Sequence, residues 1–277
     1  MLNAENGDEA TTRVKPGDGP KKVAVIGGGV AGLEAARVCA LRGYDVALYE
    51  AGDKLGGQVN LASAPPRKSE ILRAVAYYEK VLPRLGVKIE LDHKAGADEA
   101  NAADAAIIAV GARDFSLPVP GADSPKVVSS WDVLSGAAKV SGKVAVIGGG
   151  LVGTETAEFC LREGCEVAIV EMTDKIAAGE SATILPTIMA EFADKGVDQL
   201  VDTKVNAITD AGVEAVCGDE TVNIPCDYVV MAVGSKAVPF DAEGVKVPVA
   251  FVGDCSGDRT ADIASAVRSA YAAANAI

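Results

Sequence analysis

Three features of the chain predict its fold class. Residues 23–50 read VAVIGGGVAGLEAARVCALRGYDVALYE, residues 144–171 read VAVIGGGLVGTETAEFCLREGCEVAIVE, and residues 249–254 (VAFVGD) look like one more strand with no counterpart. Together they predict an α/β protein of two parallel-sheet domains, the second inserted in the first. In each repeat an apolar run turns through glycines into an amphipathic segment and returns as a second apolar run ending in an acid, which is strand, helix, strand. At an offset of 121 residues the copies keep four glycines, the glutamate that follows them, and the terminal acids Glu50 and Glu171. Each terminal acid stands 18 residues beyond its last glycine. That is the fingerprint of a Rossmann-like dinucleotide-binding unit, present twice.

Bulk properties bound the rest. A chain of 277 residues exceeds what one core usually serves, so two domains are expected. About half of it is apolar and 30 residues are glycine, as tight α/β turns require. A formal charge of −13 argues against nucleic acid or an anionic membrane face. The first 20 residues are polar, so no signal peptide is expected, and no apolar run approaches the roughly 20 residues of a membrane span. The six cysteines show neither CxxC nor metal-ligand spacing. Cys39 and Cys160 occupy equivalent places in the two repeats, where a small apolar side chain packs a helix on a sheet. A reducing cytoplasmic compartment is expected.

Taken in order, residues 1–20 read as a flexible tail or linker. After the first repeat, 53–60 (DKLGGQVN) is a glycine-containing loop. Ile71, Val75, Tyr78, Leu82 and Leu85 lie at helical spacing, with Pro83 expected to kink or end the helix early. Val87, Ile89 and Leu91 alternate as a strand, and 104–111 (DAAIIAVG) is a buried strand closing on Gly111. The 117–121 run (LPVPG) is the best boundary. Ser129 or Ser130 can cap a helix near Trp131. A long segment follows around 184–195, then a hairpin over 212–224 turning at Gly218 and Asp219. Residues 227–234 (DYVVMAVG), closing on Gly234, repeat the earlier strand, so the second half copies the first. The last helix is expected over 261–277. The expected domains are 21–118 with 241–277, and 119–240.

The repeats imply chemistry. A pyrophosphate carries negative charge, and a helix N-terminus offers unpaired N–H groups with a partial positive charge. The first glycine allows the turn, the second lets backbone approach the phosphates, and the third packs helix on strand. Gly27, Gly29 and Gly32 fill these roles first, and Gly148, Gly150 and Gly153 second. Glu50 and Glu171 stand where a carboxylate accepts from ribose hydroxyls. A 2′-phosphate would face Glu171 and Asp174 with only Lys175 to counter them, which favours NADH over NADPH. Two dinucleotide sites suggest hydride passing between two cofactors, which needs rings held together rather than a protein nucleophile. Asp254, beside Gly253, can accept from ribityl hydroxyls, so the first domain is the flavin half. His93, flanked by Asp92 and Lys94, reads as a solvated surface residue.

The GGGVAG and GGGLVG turns with their acids, DKLGGQ, LPVPG and VGDC together resemble the flavoproteins with two dinucleotide-binding domains. The GDKLGGQVNLA and SSWDVL stretches are most similar to the C-terminal module of the 2,4-dienoyl-CoA reductase, 2-enoate reductase and trimethylamine dehydrogenase group. The resemblance implies FAD on Gly27, Gly29, Gly32, Glu50, Gly57, Gln58 and Asp254, with Gly111 and Gly253 beside them. It implies NAD(H) on Gly148, Gly150, Gly153 and Glu171, with Gly234 beside them. Family members carry an FMN-binding barrel and a four-iron cluster ahead of this module, and neither is expected here. The chain would then be an excised domain or a subunit delivering electrons to such a partner. The missing cysteine pairs set it apart from disulfide reductases, and Ala270 takes the place of a family glycine facing the flavin. Some relatives hold only ADP at one site, so a nucleotide-binding structural or docking role is the alternative expectation.

Overall fold

The computed structural model describes residues 3–7, 9–10, 12–257 and 262–277. The expected helix start at residue 261 and parts of the opening segment lie outside these. The chain forms two compact units: Met1–Asn60, Glu70–Arg113 and Lys236–Ile277 make the first, Leu61–Ser69 and Asp114–Ser235 the second. It is an α/β protein with one Rossmann-like unit inserted in the other, as the repeats predict.

The chain runs through β1 (Lys22–Ile26), α1 (Val30–Leu41), β2 (Asp45–Tyr49), α2 (Gln58–Ala62), α3 (Leu72–Arg84), β3 (Lys88–Glu90), α4 (Ala97–Asn101), β4 (Ala105–Ile108) and β5 (Ala112–Asp114). Val23, Ala24, Val25 and Ile26 are all buried, as a parallel strand covered on both faces must be. α1 buries Leu33, Ala35, Ala36, Val38 and Cys39 in the first unit's core, and its small side chains permit close approach. In α3, Val75, Tyr78 and Leu82 form the buried face, as their spacing predicts. Pro83 sits in its last turn, where it removes one helix bond, and the helix ends one residue later.

The second unit contains β6 (Val127–Ser129), α5 (Ser130–Ser135), β7 (Lys143–Ile147), α6 (Leu151–Arg162), β8 (Glu166–Val170), α7 (Leu185–Lys195), β9 (Asp198–Leu200), β10 (Thr203–Thr209), β11 (Gly212–Cys217), β12 (Glu220–Pro225) and β13 (Tyr228–Met231). Ser129 caps α5: its Oγ accepts from the Trp131 N–H at 2.9 Å. The chain returns through β14 (Ser235–Ala237), which pairs with β5, to β15 (Val249–Phe251) and α8 (Ile263–Ala276).

The first unit's sheet has the order β15-β4-β1-β2-β3, and the second's β6-β13-β7-β8-β9, all parallel. The register repeats with the sequence: Lys22 stands opposite Asp45, Lys143 opposite Glu166. Even the strand starts match, with Asp104 and Asp227 each accepting the first N–H of the neighbouring strand at 2.8 Å.

Two expectations are corrected. The strand at 249–254 does have a structural counterpart: β6 occupies the same edge position beside β13 that β15 holds beside β4, and α5 follows it as α8 follows β15. The pair enters the second unit before its glycine turn rather than at its end, so no sequence offset reveals it. The hairpin at 212–224 is there, but β10 joins it as a third antiparallel strand with a bulge near Asn206. Among the described residues the first unit has no such three-stranded sheet, so the copy is not complete. In the opening segment, the Tyr271 hydroxyl donates to the Glu5 carboxylate at 2.5 Å and the Gly17 N–H to the Arg42 carbonyl at 2.9 Å.

Candidate dinucleotide sites

Each glycine turn is crowded on one side and open on the other. Gly27 has φ +111°, and a Cβ there would stand 2.3 Å from the Ala109 carbonyl oxygen. A Cβ on Gly32 would meet the Gly27 carbonyl oxygen at 1.8 Å, so only glycine lets α1 close on the strand end. Gly29 differs: a Cβ there meets nothing within 4 Å. The second unit repeats this geometry, with 2.5 Å at Gly148, 1.8 Å at Gly153 and open space at Gly150. The approach to the α1 and α6 N-termini is therefore clear where a phosphate would come, and the residues present fit a pyrophosphate.

The terminal acids close the turns. Glu50 Oε2 accepts from the Gly28 N–H at 2.6 Å, and Oε1 from the Gly52 N–H at 2.7 Å. Glu171 Oε2 accepts from the Gly149 N–H at 2.6 Å, while Oε1 accepts at 2.8 Å from both the N–H and the hydroxyl of Thr173. Burial opposes ionisation of Glu171, but the bonds from Gly149 and Thr173 outweigh it and leave the carboxyl below its ordinary range. The middle glycine of each triplet was not singled out from the sequence. A Cβ on Gly28 would lie 2.9 Å from Glu50 Oε2, and one on Gly149 2.6 Å from Ile176 Cγ2. The repetition of all three glycines in both copies was the available signal.

The remaining expected residues of the first unit gather from three stretches of chain. A Cβ on Gly57 would stand 3.1 Å from Gly29 Cα, Gln58 Nε2 donates to Asp254 Oδ2 at 2.7 Å, and a Cβ on Gly111 would reach Gln58 Nε2 at 3.5 Å. Gly253, two residues past β15, lies against Ala31 in the first turn of α1. Gly56, also unforeseen, bridges to Gly29 and donates its N–H to the Gly28 carbonyl at 2.9 Å. In the second unit Ala177 makes the matching bond to Gly149 at 2.6 Å, at φ +53°. Gly234 follows β13 with φ +107°, and nothing crowds it.

Other polar groups have structural partners. Glu34, fully buried in the first unit, is held by both arms of Arg37 at 2.7 Å and by the Tyr78 hydroxyl at 3.0 Å. Within the second unit Lys68 pairs with Glu155, and Arg67 with Glu158 and Glu191. His93 is not merely solvated: its ring lies between Glu99 at 2.8 Å and Glu90 at 3.0 Å, and its backbone N–H donates to the Glu50 carbonyl at 2.9 Å. Cys39 and Cys160 are fully buried, and burial pushes both thiols up to about 12. Ala270 is likewise buried in the first unit's core.

Fold and site together define a protein with two twinned dinucleotide cradles, each strand–glycine turn–helix closed by an acid. Residues 21–253 match the model of the pyridine nucleotide-disulphide oxidoreductase family, and the chain belongs to that family of FAD-dependent oxidoreductases that use NAD(P)H. Among curated relatives it is 46% identical over 282 residues to a bilirubin reductase of Mediterraneibacter gnavus, covering 100% of this chain and 44% of the relative. It is 37% identical over 236 residues to an NADH oxidase of Thermoanaerobacter brockii, covering 82% of this chain and 36% of that one. A solved 2-naphthoyl-CoA reductase complex superposes with a TM-score of 0.93 at 31% identity, covering 100% of this chain and 43% of that one. The chain thus spans less than half the length of these relatives.

Proposed function

We propose that the first unit holds FAD and the second NADH, and that the chain is the NADH-oxidising module of a larger flavoenzyme. The observation that carries this reading is the doubled cradle, together with the Gln58–Asp254 pair, which adds a carboxylate beside the first cradle only. Gly27, Gly29 and Gly32 present the α1 N-terminus to the FAD pyrophosphate, with Gly57 and Gly111 lining the approach. Glu50 accepts from the adenosine ribose, while Gln58 and Asp254, aimed by Gly253, take the ribityl hydroxyls. Gly148, Gly150 and Gly153 receive the NADH pyrophosphate, Glu171 its ribose, and Gly234 leaves room beside them. Bound FAD supplies hydride acceptance from NADH and one-electron release to an acceptor.

The protein supplies binding and orientation. The ionised, covered Glu171 repels a 2′-phosphate, which supports NADH over NADPH. The buried Cys39 and Cys160, their thiols held protonated, are unsuited to redox exchange, and the sequence shows no CxxC pair. We therefore route the electrons to a partner bearing FMN or an iron–sulfur cluster. The span of less than half of each relative and the resemblance to barrel-containing flavoenzymes support this route. All six cysteines are free, which fits a cytoplasmic setting. Among the described residues no helix is long and apolar enough to cross a membrane. The test is anaerobic addition of NADH to FAD-loaded protein: the flavin absorbance bleaches if the reading holds, and a flavin that stays oxidised overturns it.

A further inference from the structure

The twin acids differ in how much of their hydrogen-bonding capacity is already used. A carboxylate offers about four lone-pair sites. Glu50 spends one on Gly28 and one on Gly52, leaving one on each oxygen. Glu171 spends one on Gly149 and two on Thr173, so its Oε1 is filled. At the repeat offset, Thr173 stands where the first unit has Gly52. The backbone bond is the same in both; the hydroxyl is the addition. Thr173 is exposed, and its hydroxyl also lies 3.3 Å from the Lys175 carbonyl oxygen, a second acceptor to which it can turn.

We propose that the Thr173 hydroxyl weakens the second unit's hold on its dinucleotide by occupying a Glu171 oxygen that a ribose hydroxyl would otherwise use. This rests on the reading of Glu171 as a ribose acceptor. A ribose presents two adjacent hydroxyl donors, which Glu50 can accept on its two oxygens at once. At Glu171 the second donor must first displace Thr173. The first site is thereby built to retain its nucleotide and the second to exchange it, which is what a prosthetic group and a co-substrate respectively require.

The experiment is calorimetric titration of FAD-loaded protein with ADP-ribose, which carries the ribose and pyrophosphate without the nicotinamide. Thr173→Val removes only the hydroxyl and is expected to bind ADP-ribose about threefold to tenfold more tightly, the worth of one net hydrogen bond. Thr173→Ser restores the hydroxyl and the original affinity. In a Glu171→Gln background, which binds more weakly, the Thr173→Val gain disappears, as coupling through the carboxylate requires. Conversely, Gly52→Ser places a hydroxyl beside Glu50 and speeds FAD release. If Thr173→Val binds no tighter than the parent while Glu171→Gln binds more weakly, Thr173 has no such role and the ribose reading stands. If Glu171→Gln leaves ADP-ribose affinity unchanged, the ribose reading fails and this inference with it.

Discussion

One methyl group, placed three residues apart, separates binding from folding in the first unit. At Gly29 the backbone has φ −71° and ψ 175°, open to any residue, and a Cβ meets nothing within 4 Å. Gly29→Ala therefore costs the fold only the difference between glycine and alanine at a helix N-cap, under about 1 kcal/mol. On the proposed placement, the same methyl stands where the FAD pyrophosphate approaches the α1 N-terminus. Losing one charge-assisted backbone bond there, about 1.5–3 kcal/mol, weakens FAD binding about tenfold to a hundredfold. Gly32→Ala does the reverse. Its Cβ lies 1.8 Å from a backbone carbonyl oxygen, which no rotamer relieves, so α1 must move off the strand at about 1–3 kcal/mol or more. Thermal melts of the apoprotein and fluorescence titration with FAD read the two quantities separately. A folded Gly29→Ala protein that binds FAD as tightly as the parent refutes the placement of the phosphates. Gly150→Ala should weaken NADH and leave FAD retention alone.

Three further outcomes follow from the side chains. Glu171→Arg exchanges a carboxylate for a phosphate-binding fork, so steady-state kinetics should show weaker use of NADH and better use of NADPH; an unchanged ratio removes Glu171 from the ribose. Thiol titration of the native protein near pH 8 should label the exposed Cys217 and spare Cys39 and Cys160, whose burial holds them protonated to about 12, and labelling should not slow flavin reduction by NADH. The bond to Glu99, aided by Glu90, raises His93 above 6.5, so its stabilisation is full below that pH and is lost as pH rises through the higher folded-state value. Melting temperature should fall across that rise, and His93→Gln should abolish that part of the fall.

What could be read from the sequence was whatever is local and repeated. Gly27, Gly32 and their twins are forced by contacts inside one strand–turn–helix, so their spacing alone announces the geometry. Ser129 capping α5 and Val75, Tyr78 and Leu82 lining α3 are local in the same sense. The misses are non-local. β6 shares no motif with β15, because an edge strand is defined by its neighbour in the sheet and not by its own residues. β10 carries polar Thr203, Lys204 and Asn206 and becomes a strand only by pairing with β11. His93 is the exception: its partners Glu90 and Glu99 lie only three and six residues away, but only the turn into α4 brings Glu99 to the ring.

The exchange of β15 for β6 bears on why the two cradles need not behave alike. Both sheets require a fifth strand at the same edge, but the chain supplies it from opposite ends of the repeat. In the first unit the strand runs into Gly253 and Asp254, and φ +66° at Gly253 turns the carboxylate toward Gln58. In the second, β6 ends at Ser129, the counterpart of Phe251 in register, and its side chain caps a six-residue helix. The two edge strands thus run into different structures, a Gly253–Asp254 turn bonded to Gln58 in one unit and a capped helix in the other. On the reading proposed above, residues 23–50 and their copy carry what any dinucleotide requires, a phosphate approach and a ribose acceptor. What differs between a retained and an exchanged nucleotide must come from outside the repeat's shared positions: Asp254 and Gln58 add a polar pair to the first cradle, and Thr173 in place of Gly52 adds a competitor to the second.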